Sequence, residues 1–319
     1  MTGMLRPPRW GGLLLPLLAA LSLIFLLLLP TASRAGADAA MESSVSRYLD
    51  SIRDDPVRMA AFLRDMPKGG DLHSHLSGAV STESLIRFAV TDGLCIDTAS
   101  FVASFPPCTS TQRPAADTTT DENFYNQIIA AWSMEDFVQG PESGHDHFFN
   151  AFGKFDAASS KKGDMLAEVA SRAAAQNQFY LEIMLTRQSS AVRKLAQRFG
   201  FDPDLAQMLK RLKEDGAMDK LVEAAKADTD ADLTRFSSLL GCGGPEADPA
   251  CTLPIRFISQ VNRTSPPEVV FAQAVLGFEL MEKDKRYAGI NFVAPEDNRV
   301  ALADYRLHMQ MVGFLRDQY

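Results

Sequence analysis

The chain has 319 residues, 46% of them hydrophobic and 23% charged, with a formal net charge of -8. That length permits a full buried core in one large domain or two smaller ones. The acidic balance leaves no basic face to neutralise phosphates, which argues against a nucleic-acid partner.

Arg6 and Arg9 precede a leucine-rich apolar run over residues 11–29, interrupted by Pro16. Small residues follow, with Ala35-Gly36-Ala37 and Ala37-Asp38-Ala39 as cleavage boxes. This is the layout of a secretory signal peptide over residues 1–39, ahead of a domain over residues 40–319. An uncleaved anchor is the alternative, since the run nearly reaches the roughly 20 residues of a spanning helix. Either reading puts the body of the protein outside the cytosol, periplasmic or secreted, with membrane contact only if the segment stays attached. The four cysteines form two local pairs, Cys95 with Cys108 and Cys242 with Cys251, in loop-like segments. An oxidising compartment lets each pair close a short loop, and neither has the C-x2-C spacing of a zinc site. Four free buried thiols are the competing reading.

Asp55-Pro56 opens a helix that Pro67 and Gly69-Gly70 end, with Asp55 as N-cap and Pro56 in the first turn. The segment around His73 reads as a short strand. Ser81 starts a helix through Val90 with Leu85, Ile86 and Ala89 on one face. Residues 97–121 turn polar and read as a long loop, of the kind that is often a lid or disordered. Helical segments are expected over residues 123–155, 165–176 and within 202–240. Apolar runs at residues 179–185, 254–261 and 287–293 read as buried strands. The helices expected after the last two cover residues 267–281 and 299–314. Strands of near-continuous apolar character alternating with helices indicate βα units on a parallel sheet. Four units fit, and in a parallel barrel His75, Glu182, Arg263 and Glu296 fall at the C-terminal strand ends, where active sites form.

The most informative stretch is His73-Ser74-His75-Leu76-Ser77-Gly78-Ala79. Residues two apart on a strand share a face, so His73 and His75 present two imidazoles side by side, and imidazole is the commonest protein metal ligand. H-x-H alone is a weak signal; its context strengthens it. Met66-Pro67-Lys68 precedes the pair. Further along stand His147-Phe148-Phe149-x-x-Phe152, Tyr180-Leu181-Glu182-Ile183-Met184 and Gly289-Ile290-Asn291-Phe292-Val293-Ala294-Pro295-Glu296-Asp297. In these segments the sequence resembles the adenosine deaminase family of metal-dependent hydrolases, closest to its exported branch, the adenosine deaminase-related growth factors and their bacterial relatives.

The resemblance implies an α/β fold, a TIM (β/α)8 barrel of the metal-dependent hydrolase type with about the first four βα units present. It implies Zn2+ as cofactor, a purine nucleoside as substrate, and hydrolytic deamination of adenosine or 2'-deoxyadenosine to inosine or its deoxy form and ammonia. His73 and His75 match the metal ligands of the first strand, and Gly78 the glycine after them. Ser77 stands where much of the family has a ribose-contacting aspartate. Ala294 stands where the family often has a glycine close to the purine. Ser77, Gly78 and Ala294 are therefore the expected substrate-binding positions. The third histidine ligand, the general-acid glutamate and the ligand aspartate are expected beyond Tyr319, so no catalytic residue is expected in the chain itself, and the chain as given is expected to be incomplete and inactive. The alternatives are a non-catalytic remnant or binding protein built on the half-barrel, or a hydrolase of another purine or amino substrate. The oligomeric state is not readable.

Other features carry less. His145-Asp146-His147 reads as capping or surface packing, and His308 as core or surface of the last helix. Glu182 reads as lining the pocket mouth or pairing with a base. Asn262-Arg263-Thr264 fits a glycosylation sequon, with Arg263 favoured as a pocket-lining or structural residue. Gly241-Cys242-Gly243-Gly244 reads as a turn held by a disulfide.

Overall fold

The computed structural model describes residues 38–319, so the export segment read at residues 1–39 lies almost wholly outside them. The chain divides into two units, Met1–Met66 and Pro67–Tyr319. In the first, residues 38–52 form α1 and Pro56–Asp65 forms α2. The Asp55 carboxylate caps α2, accepting from the backbone N–H groups of Val57 and Arg58 at 3.1 Å, as the Asp-Pro opening dictates. Among the described residues no helix is long and apolar enough to cross a membrane.

The second unit is α/β. In chain order it contains β1 (Gly69–His75), α3 (Leu76–Ala79), α4 (Thr82–Thr91), β2 (Cys95–Asp97), β3 (Ala103–Ser104), β4 (Gln112–Pro114), α5 (Glu122–Trp132), α6 (Gly144–Phe155), α7 (Lys162–Ala175) and β5 (Gln178–Leu185). There follow α8 (Ser189–Phe199), α9 (Leu205–Lys213), α10 (Ala217–Leu239), β6 (Ile255–Asn262), α11 (Pro267–Lys283), β7 (Tyr287–Val293) and α12 (Arg299–Gln318). The main sheet has the order β1-β5-β6-β7, and every pair in it is parallel. This is a four-stranded parallel half-barrel, half the strand count of a closed (β/α)8 barrel. Among the described residues, β1 and β7 each pair on one side only.

Burial follows position in the sheet. The central strands β5 and β6 carry Leu181, Ile183, Leu185, Phe257 and Val261 into the core, whereas edge strand β1 has no buried residue and leaves Leu72 exposed. Helix α11 packs on β6, β7, α8 and α12 and is buried over most of its circumference, including all of Val269–Gly277. Gly277 permits that approach: a β-carbon there would stand 2.4 Å from the Ile290 Cγ2 on β7, so any larger residue pushes helix and sheet apart.

Two readings of the sequence need correction. Residues 97–121 are not a plain loop: β2 pairs antiparallel with both β3 and β4, and the Cys95–Cys108 disulfide ties this small sheet together. Two- and three-residue strands are too short to show a period of two, so composition alone reads as loop. Helix α8 also goes unread, although Val192 and Ala196 on its inner face are buried. The Cys242–Cys251 disulfide forms as expected.

Candidate functional site

The site begins with an irregularity in β1. Asp71 faces Leu181 on β5, but Ser74 already faces Ile183, so β1 spends one extra residue across Leu72 and His73. A bulge of this kind removes a ladder hydrogen bond and re-aims side chains. The His73 N–H donates instead to the Asp71 carboxylate at 3.0 Å. The outcome is two imidazoles edge to face, centroids 5.1 Å apart, at the C-terminal end of the strand. The His75 Nδ1 meets the Gln260 amide nitrogen at 2.7 Å, and the Gln260 Oε1 accepts from the Thr186 hydroxyl at 2.8 Å. This chain fixes the ring plane of His75 from the ends of β5 and β6. Because a hydroxyl both donates and accepts, the Gln260 amide can reverse and accept from Nδ1–H without orphaning Thr186. That reversal frees Nε2 of His75 as a ligand. Burial, and second the charge of His73, push the His75 pKa down, which favours the neutral, metal-binding form.

Both histidines open onto a cavity of about 780 Å³, within the size range of small-molecule sites. One wall is aromatic, with Phe148, Phe149 and Phe152 from α6 in edge-to-face contacts at 5.1 and 5.3 Å. The lining also carries amides, Gln260 and Asn262 from β6 and Asn291 from β7. The segment after β7 closes the rim. Arg263 pins it, pairing with Glu296 at 3.0 Å and donating to the Phe292 carbonyl. His145 at the start of α6 reaches Asp297 at 3.1 Å from Nε2 and Asp146 at 2.9 Å from Nδ1. The Asp146 hydrogen bond, with smaller help from Asp297, outweighs partial burial and raises the His145 pKa.

The expected positions are brought together unevenly. His73, His75, Ser77 and Ala294 all line the cavity. Gly78 does not; its α-carbon lies under the Phe152 ring, where a β-carbon would come within 3.2 Å, so it acts by letting the aromatic wall close in. Arg263 and Glu296 stand at the rim as strand-end residues. Glu182 does not: it sits inside β5 and its carboxylate accepts from the Tyr180 hydroxyl at 2.9 Å. His147 is packing, as expected, held by the carbonyls of Ala130 and Ser133 and by Glu142. His145 is not; it lines the cavity. His308 is core, stacked on Phe292 at 5.4 Å. The Asn262 side chain accepts from both the N–H and the hydroxyl of Thr264, so the sequon asparagine is engaged at the cavity. Asp156 and Gln260 also line it; neither belongs to a motif, and only the fold brings them here.

A catalytic zinc needs about three protein ligands and an open position. Among the described residues no group of three or more His, Cys, Asp or Glu side chains is placed to hold a metal ion. The His73–His75 pair thus supplies two donors and does not by itself fit a catalytic zinc.

No protein-family model matches the chain, and no curated protein does. Among solved structures it is similar to an amidohydrolase from Burkholderia ambifaria with bound zinc, at 17% identity and a TM-score of 0.39. The match covers 78% of this chain and 50% of that one, so the chain spans half the length of the structure it matches. At this distance the zinc is a fact about that protein alone.

Proposed function

We propose that the chain forms the substrate-facing part of a zinc-dependent hydrolase that deaminates a purine nucleoside, adenosine or 2'-deoxyadenosine. In that reaction water adds at C6 of the purine and the amino group leaves as ammonia, giving inosine or 2'-deoxyinosine. The observation that carries the reading is the paired histidines at the mouth of a parallel strand, opening on a cavity with an aromatic wall. The His-x-His-Leu-x-Gly-Ala segment supports it from the sequence. Phe148, Phe149 and Phe152 offer faces and edges to a flat heterocycle, and Gln260 and Asn291 offer amides to its polar atoms. Two histidines leave the metal-dependent step without a full ligand set, so no step is assigned to a metal and no acid is assigned. The two disulfides and the export layout of residues 1–39 support a periplasmic or secreted location.

The test is ligand and zinc binding by the full chain. Adenosine should bind while inosine formation stays at background. His73→Ala and His75→Ala should each lower zinc retention after dialysis, measured by atomic absorption. Failure of both adenosine and adenine to bind would overturn the purine reading. A second reading, a non-catalytic purine-binding scaffold, is favoured by one observation, the lack of a third metal donor among the described residues. It predicts the same purine affinity in the two histidine variants and no dependence of binding on zinc.

A further inference from the structure

The cavity's charged side chains are partnered with one exception. Arg263 is paired with Glu296, and His145 is held between Asp146 and Asp297. The remaining ionisable residue in the lining, apart from the two strand histidines, is Asp156. Among the described residues its carboxylate forms no ion pair and accepts no hydrogen bond; its backbone carbonyl accepts from the Ser159 hydroxyl at 2.7 Å. Lys162 feels its charge, but less than it feels Arg187, Asp232 and Asp228.

Its place along the cavity follows from the helix. Asp156 is the C-cap of α6, one turn beyond Phe152, and side chains four apart on a helix lie on one face. The Phe152 ring packs over Gly78, the residue after Ser77. Asp156 therefore follows Phe152 at the end of the aromatic wall, and Ser77, a hydroxyl, lines the same cavity. A carboxylate and a hydroxyl beside an apolar wall make an amphipathic receptor. A flat ring lies on the phenylalanines and a hydroxylated appendage reaches Asp156.

We propose that Asp156 is the specificity-determining residue of this cavity, accepting hydrogen bonds from sugar hydroxyls and repelling a phosphate, so that the ligand class is the uncharged nucleoside. This rests on the purine reading above. An ionised carboxylate accepts only, with two oxygens suited to neighbouring hydroxyl donors. Those are what a ribose presents. A phosphate ester brings acceptors and negative charge to the same spot, and no unpaired arginine lies in the lining to receive it.

The experiment is calorimetry on the full chain with three probes: adenine, adenosine and adenosine 5'-monophosphate. Hydrogen bonds to a charged group are stronger than those between neutral groups, so adenosine should bind tenfold or more tighter than adenine, and the monophosphate more weakly than adenosine. Asp156→Ala should bring adenosine down to the affinity of adenine, leave adenine unchanged and narrow the gap to the monophosphate. Asp156→Asn, which keeps one acceptor oxygen without the charge, should fall between. Asp156 is exposed at a helix end, so both variants are expected to keep the wild-type circular dichroism. An adenosine-to-adenine ratio unchanged in Asp156→Ala would overturn the assignment while leaving the purine reading standing. If neither adenine nor adenosine binds the wild-type chain, both are overturned.

Discussion

Ala294 holds φ at +82°, a region in which a β-carbon crowds the adjacent carbonyl and glycine is favoured. The strain is on the order of 1–2 kcal/mol, against about 0.4–1 kcal/mol of unfolded-chain entropy that an alanine removes. Ala294→Gly should therefore raise the urea midpoint by a modest margin with the slope unchanged; a lower midpoint would show that the rim carries no strain. Glu279 offers a second test at this scale. Burial alone would raise its pKa, yet hydrogen bonds from Lys213, Lys283 and Tyr319 hold it at about 2. The ordinary value is 4.5, so the carboxylate is favoured in the folded state. Its contribution is complete above the unfolded value and fades as pH falls through the window from 4.5 to about 2. Melting curves of Glu279→Gln and the wild type should therefore converge as pH drops through that window. A gap that stays constant down to the low end would contradict the linkage.

The elements were legible to different degrees. Strands β5, β6 and β7 are short segments rich in apolar and β-branched or aromatic residues, so they stand out in the sequence with boundaries within a residue or so, and the alternation with helices gives the parallel sheet. β1 has no buried residue; it is recognisable only through its histidines and the glycines before it. The bulge that aims those histidines leaves no mark in the sequence beyond Asp71, whose carboxylate replaces the lost ladder partner. In the site, Ser77, Ala294 and Arg263 were readable because they follow strands or motifs. His145 and Asp156 were not, because their position depends on α6 lying across the strand ends, a long-range fact that local pattern does not contain. The strands of the small sheet β2–β4 are too short to leave a pattern in the sequence. There the disulfide between Cys95 and Cys108 closes a loop of 13 residues, a constraint of about 3 kcal/mol in the chain-entropy account. A Cys95→Ala/Cys108→Ala variant should melt several degrees lower, and thiol titration of the unreduced wild type should find no free cysteine. Four titratable thiols would return the cysteines to the core-packing reading.

For the second unit as a whole, the consequential fact is that, among the described residues, its parallel sheet has two one-sided strands. Unpaired backbone groups on a hydrophobic edge are templates for association, and Leu72 is 60% exposed on β1. Residues 40–319 expressed alone should sediment as oligomers or aggregates without detectable deamination, and Leu72→Lys should shift the distribution toward monomer. A sharp monomer peak for the wild type, with measurable inosine production, would overturn this expectation. The same edge strand carries His73 and His75, so pairing at β1 and occupancy of the two imidazoles act on one element. Thermodynamic reciprocity would tie them: if pairing along β1 changed the affinity of the two imidazoles for a cation, the cation would change the strength of that pairing by the same factor. Ligation at this strand would then serve as a gauge of whether its outer edge is covered.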